Sequence, residues 1–244
     1  EDYAYFANLD LGNEKISLGD HTIVTGELTG AGCEMTGNIN LRGAATVIGE
    51  FGGNIEINSE YTMNSDIHIK GNLSTTSHLY LNGKTFTVDG DVSINNRVYL
   101  QKGTLYCGRD LITNYSSWIF MENVEDVINV RGNYTHDGGY HNFSLTNGTF
   151  YIGGNCTIDK SGFEGSGSHT MVFDGESQQT ISFNNANSNF NKAIFRNKNG
   201  IVITSTLNAN EVEIEEGCDV SFSNGGSAGM TLTDEEVAMC KANA

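Results

Sequence analysis

Proline is missing altogether from this 244-residue chain, where average usage would place roughly a dozen. Proline has no amide hydrogen to give to a strand ladder. A chain made mostly of strands paired on both edges has few positions for it, and that reading is preferred over compositional drift. Positive charge is also scarce: 13 Lys and Arg stand against 30 Asp and Glu, a formal net charge of −17. Phosphate backbones are held by clustered Lys and Arg, so nucleic acid is excluded as a partner. Such a charge favours solubility and repulsion between copies, with loose cation binding as a secondary consequence. No apolar run approaches the ~18 residues of a membrane span. The chain opens at Glu1 without a Met, as a mature form or an excised segment would.

Metal-binding cysteine pairs are absent too. Cys33, Cys107, Cys156, Cys218 and Cys240 include no Cys-x-x-Cys, which argues against a structural zinc site. Five is an odd count, so this is not a disulfide scaffold.

Glycine, by contrast, is abundant at 30 residues, and it is periodic. Ile67-His-Ile-Lys-Gly71-Asn-Leu-Ser74 recurs as Phe86-Thr-Val-Asp-Gly90-Asp-Val-Ser93, as Ile128-Asn-Val-Arg-Gly132-Asn-Tyr-Thr135 and as Phe150-Tyr-Ile-Gly-Gly154-Asn-Cys-Thr157. A degenerate copy ends at Gly108. The glycines step by 19, 18, 24 and 22 residues, the period of stacked solenoid coils. After each unit comes another short alternating strand: Leu79–Leu81, Val98–Leu100, Trp118–Phe120 and Phe143–Leu145. Alternation at period two sends one set of side chains inward and the other outward. Hairpin meanders produce the same local pattern; the fixed period favours parallel coils. The register places Cys107 with Ile69, Val88, Val130 and Ile152, and Cys156 with Leu73, Val92 and Tyr134. Both read as small buried hydrophobes.

The expected organisation is one all-β domain: a lead-in over 1–13 whose aromatics cover the first coil, a single-stranded parallel β-solenoid of roughly ten coils over 14–232, and a short helical tail over 233–244. The step of 28 from Gly43 to Gly71 predicts an insertion near Gly49–Gly53. The tail rests on Thr233-Asp-Glu-Glu236, a capping box with acidic residues in the first turn.

The segments Val172-Phe-Asp-Gly175 and Gln178-Gln-Thr-Ile181, with the Gly-Asn coils, resemble secreted, repeat-rich, adhesin-like surface proteins of Gram-positive bacteria. The resemblance spans about residues 67–215. It implies a right-handed β-solenoid at the cell surface or outside the cell, and it supplies no catalytic residues.

Three groups are candidate sites. Tyr80 and Tyr99 occupy equivalent outward positions in adjacent coils, with Trp118 opening the next such strand; a row of this kind takes carbohydrate or simply packs across strands, and packing is preferred. His136-Asp137-Gly-Gly-Tyr-His141 could offer two nitrogens and a carboxylate to a metal; the plainer reading is a solvated loop. Glu211, Glu213 and Glu215 alternate with Val212 and Ile214, and Glu122, Glu125 and Asp126 form a second acidic group. Ca²⁺ is the cofactor such carboxylates would take; a solvated strand face is the plainer reading. Six Asn-x-Ser/Thr sequons are weak evidence of glycosylation, because the repeat itself generates those at Asn72, Asn133 and Asn155.

No coil carries an enzyme's paired carboxylates. The expected role is therefore non-catalytic: a structural or adhesive extracellular protein or fibre subunit, self-associating end to end and meeting a surface glycan or host protein. The alternative is a carbohydrate-binding or carbohydrate-cleaving solenoid.

Overall fold

The repeat begins at a corner, and its Gly-Asn/Asp pair follows from how closely the coils stack there. In the computed structural model, the side-chain Oδ1 of each Asn or Asp accepts the backbone N–H of its counterpart one coil later. Asn54 accepts from Asn72 at 2.8 Å, Asn72 from Asp91 at 2.8 Å and Asp91 from Asp110 at 3.1 Å. Asp110 then accepts from Asn133 at 2.7 Å, Asn133 from Asn155 at 2.8 Å, and Asn155 from Thr180 at 2.8 Å. The preceding glycine makes the room. A Cβ on Gly90 would lie 2.3 Å from Asn72 Oδ1 and 2.5 Å from Gly71 O, and one on Gly132 would lie 2.4 Å from Asp110 Oδ1. These glycines are needed for space rather than for a left-handed backbone.

The structure describes residues 4–18, 22–42, 45–114, 116–223, 227–228 and 240–242. Among the described residues, thirty-one strands, from β1 (Ala4–Asp10) to β31 (Cys240–Ala242), pair in parallel and wind into a β-solenoid of about eleven turns. Among the described residues there is no helix. A 14-stranded sheet runs the length of the chain, and a 9-stranded and a 4-stranded sheet form the other faces. Each strand pairs with its counterpart one coil away, so Leu73 meets Ile55 on one side and Val92 on the other.

Stacking puts like with like inside. One interior column reads Ile39, Ile55, Leu73, Val92, Leu111, Tyr134, Cys156, Ile181 and Ile203, all buried. Each full burial of such an aliphatic side chain contributes about 1.5–3 kcal/mol. Cys107 and Cys156 are buried as their register predicts, and Cys33 and Cys218 are buried too. Burial pushes the Cys107 thiol up to about 12.

One expectation needs correction. No insertion occupies Gly49–Gly53. Gly53-Asn54-Ile55 is itself a corner, and Ile39, Ile55 and Leu73 stack in succession; the missed glycine made two short coils look like one long one. The extra residues fall later: the Asn133-to-Asn155 bond spans 22 residues and the Asn155-to-Thr180 bond spans 25. In the tail, the capping box lies outside the described residues. Cys240–Ala242 is a strand that adds a rung on β29 (Val220–Phe222), with Cys240 opposite Val220. In the lead-in, β1 pairs with β3 (Thr22–Thr29) as the terminal rung of the long sheet, and Phe6 and Leu9 pack against the core.

Asp110 tests the corner ladder. Its Oδ1 accepts both the backbone and the side-chain N–H of Asn133. Asp110→Ala is expected to cost about 1–3 kcal/mol in urea unfolding, whereas Asp110→Asn keeps the acceptor and is expected to lose less than half as much. Equal losses would show that the acceptor is not what matters.

Candidate functional site

The 4-stranded sheet ends at β18 (Trp118–Phe120), and the candidate side chains gather around that end. Outward residues stack coil on coil, because Tyr80 is in register with Tyr99 and Tyr99 with Phe120. The Tyr80 and Tyr99 rings lie 4.6 Å apart at 8°, and Tyr99 and Phe120 lie 4.3 Å apart at 9°. Trp118 faces outward in register with Arg97, whose guanidinium carbon lies 5.8 Å from the ring centroid. It lies parallel to Phe120 at 5.8 Å, and Tyr140 lies 5.8 Å from it on the next coil, tilted by 37°. The three residues predicted to form an aromatic row therefore belong to one strip, joined by Phe120 and Tyr140, which sequence reasoning did not assign to it. Phe120 was legible, since it falls two residues after Trp118 and one coil after Tyr99. Each stacked pair contributes about 0.5–1.5 kcal/mol, so cross-strand packing accounts for Tyr80, Tyr99 and Phe120.

The sheet stops because the next coil departs from strand geometry. Gly138 and Gly139 adopt φ of 138° and 106°, and Phe143 adopts φ of 66°, a conformation disfavoured for a bulky side chain. This turns His141 inward, where its Nδ1 accepts the Ile119 N–H at 2.9 Å in place of the carbonyl that another strand would supply.

His136 and His141 are both buried, with ring centroids 5.0 Å apart, and Asp137 stays outside. The loop is thus not simply solvated, and the carboxylate does not join the two rings. Among the described residues, no three His, Cys, Asp or Glu side chains are placed to hold a metal ion. His136 sits in β20 (Tyr134–His136), in the interior column of Thr113 and Ile158. Its Nε2 donates to Ser161 O at 3.3 Å, so its Nδ1 accepts from Thr113 Oγ1 at 3.1 Å, and Thr113 in turn accepts from the Tyr134 hydroxyl at 3.4 Å. A third buried histidine, His169, lies beyond Phe163. It sits in a turn outside the repeat register, so no periodicity pointed to it. Neither nitrogen of His169 and not Nε2 of His141 has a hydrogen-bond partner. Burial holds all three imidazoles neutral: His136 and His141 are pushed below the usual histidine range, and His169 down to about 3.

The acidic residues are neutralised rather than gathered. On β28 (Ala209–Ile214), Glu211 and Glu213 bracket Lys192 at 2.7 and 2.8 Å. Glu215 meets Arg196 at 2.6 Å. Glu125 pairs with Lys102 at 3.4 Å. Asp126 is buried and works as a turn anchor, accepting the backbone N–H groups of Lys102, Glu122 and Asn123. A shallow notch of about 450 Å³ lies at a corner where Gly153 has no side chain, between Arg131 on one coil and Asp174 on another. Desolvation raises the Asp174 carboxyl, against the pull of Arg131 and Arg196.

The buried histidines set an acid limit. In the unfolded chain they protonate near pH 6.5, whereas the fold holds them below that value. The unfolded state therefore binds more protons in acid. Stability is complete above about pH 6.5 and falls as pH drops toward the folded values, by up to about 1.4 kcal/mol per pH unit for each imidazole. The urea midpoint is expected to fall between pH 7 and 5, and His169→Phe to remove about a third of that slope. An unchanged slope would contradict this assignment.

Residues 16–111 match the family model described as Bactofilin, polymer-forming cytoskeletal, a stretch that covers less than half of the chain. No curated protein and no solved structure matches. By that match, the early and regular coils up to Leu111 are similar to a polymer-forming family.

Proposed function

We propose that this chain is a non-catalytic structural protein that assembles end to end into filaments. The observation that carries the reading is the 14-stranded parallel sheet, whose terminal strands β1 and β31 each have a single neighbour within it among the described residues. A strand paired on one edge presents a row of free N–H and C=O groups to another chain. A head-to-tail contact of that kind generates an open filament instead of a closed ring when its rotation does not close. The family description over residues 16–111 names polymer formation, which supports the same reading. That description is cytoskeletal, so the proposal carries over polymer formation and leaves aside the adhesive, cell-surface role that the coil motifs suggested. Among the described residues, no helix is long and apolar enough to cross a membrane.

Net charge opposes assembly. Copies carrying −17 each repel one another, and salt screens that repulsion with a Debye length of about 8 Å at physiological ionic strength. Filament formation is therefore expected to strengthen as salt rises. Electron microscopy and sedimentation at increasing concentration provide the test. Tyr5→Lys with Ala7→Lys places charge at exposed positions of the terminal rung; it is expected to abolish filaments while leaving the far-ultraviolet β signal in place. Monodisperse short rods from the unmodified chain at every concentration and salt would overturn the proposal.

A further inference from the structure

The three buried histidines share one stretch of core. The rings of His136, His141 and His169 surround Phe163, at centroid distances of 5.7, 6.0 and 6.4 Å from it. His136 ends β20, His141 sits in the irregular turn after it, and His169 immediately precedes β23 (Thr170–Phe173). No other histidine is buried among the described residues. His68 and His78 lie near the surface, beside Asp89 at 3.0 Å and Glu60 at 3.7 Å.

The hydrogen bonds of the trio are set for neutral rings. In a neutral His141 the lone pair is on Nδ1, which holds the Ile119 N–H at 2.9 Å. A proton there would set donor against donor and break the bond that stands in for a strand carbonyl. On His136, a proton at Nδ1 would reverse the bond from Thr113 Oγ1. Both nitrogens of His169 and Nε2 of His141 are without a partner, so a charge on either ring would be buried with little to compensate it. Surrounding charges do not offset this. Asp137 and Asp159 favour a proton on His136, whereas His141 faces His136 and His169, which would repel it, and burial alone acts on His169. Tyr134 and Cys156, packed nearby, are held neutral by burial. Glu164 is engaged with Asn142, and Lys192 with Glu211 and Glu213.

The same stretch is where the coils leave their register, at the positive-φ residues Gly138, Gly139 and Phe143. In a solenoid each coil is held by its two neighbours, so one run of coils can open while those on either side stay folded. We propose that residues 134–169 form an acid-operated joint: the three histidines keep these coils closed while neutral and open them together when protonated, leaving the regular coils folded. The sign follows from linkage. Open coils bind protons that the closed ones exclude, so opening grows as pH falls below about 6.5, by up to about tenfold per pH unit for each imidazole. The loss is thereby confined to one stretch, and it does not depend on filament formation.

Amide hydrogen exchange of the full chain, read by mass spectrometry at pH 7.5 and 5.5 with exchange times scaled for the intrinsic rate, tests the joint. Peptides within 134–169 are expected to lose at least tenfold in protection at pH 5.5, and peptides within 67–112 less than threefold. His141→Asn keeps an acceptor for the Ile119 N–H without titrating, and His169→Phe puts an apolar ring where the imidazole has no partner. Together they are expected to hold the loss within threefold. His169→Phe alone is expected to recover at least threefold, which keeps the test decisive if the double variant does not fold. His68→Gln with His78→Gln is expected to change nothing. Undiminished protection at pH 5.5, an equal loss in both sets of peptides, or an unchanged loss in His169→Phe would overturn the proposal.

Discussion

The structure depends on one repeated hydrogen bond, from a backbone N–H at a corner to the Oδ1 of an Asn or Asp one coil earlier. The strands between corners are short, mostly two to four residues, and short parallel strands specify their register weakly on their own. A side chain that bonds the equivalent residue of the next coil supplies what they lack. The bond forms where the coils touch closely, and at Gly71, Gly90, Gly132 and Gly154 a Cβ before the donor would collide with the coil below. Glycine and Asn or Asp therefore mostly appear as a pair, recurring from Asn54 to Asn155 except at Asp110, which follows Arg109. Past Thr180 the role passes to other residues: buried Gln179 donates to Ile152 O and Gly154 O, and its Oε1 accepts from Gly175 N and Asn197 Nδ2.

The energies divide in a consistent way. Each interior aliphatic contributes about 1.5–3 kcal/mol, while a ladder bond contributes about 1 kcal/mol net, or more where Asp is the acceptor. Burial therefore sets stability, and the ladder chooses which coil pairs with which. Once the register is set, it dictates the surface: outward residues must stack on their own counterparts. Tyr80, Tyr99 and Phe120 become a ladder for that reason, and Glu211 and Glu213 come to lie around Lys192. Where the register fails, at residues 138–143, the molecule departs from its plan. An imidazole replaces a strand carbonyl at Ile119, and a phenylalanine is turned outward.

Much of this was legible in the sequence. The period placed Cys107, Cys156, Tyr80 and Tyr99 correctly, because a residue's address in a solenoid is its offset from the corner glycine. The same rule would have placed His136 in the core, two residues beyond Tyr134. It went unused there because a His-Asp-Gly-Gly sequence reads as an exposed turn. Other features were beyond the period. His141 and His169 lie in irregular turns, and their burial is a product of three dimensions. The capping box of the tail lies outside the described residues, and the strand at Cys240–Ala242 was not signalled by any period. The insertion assigned to Gly49–Gly53 came from missing one corner, Gly53-Asn54.

An end-to-end filament extends the same logic: strand edges like those that join coil to coil within a chain would join chain to chain at the ends. The account stands on the corner bonds, and amide hydrogen exchange reads them directly. The amides of Asn72, Asp91, Asp110, Asn133, Asn155 and Thr180 lie at exposed corners yet donate to the ladder. They are expected to exchange as slowly as strand amides such as those of Leu73 and Val92. Exchange at the rate of open turns would contradict the account.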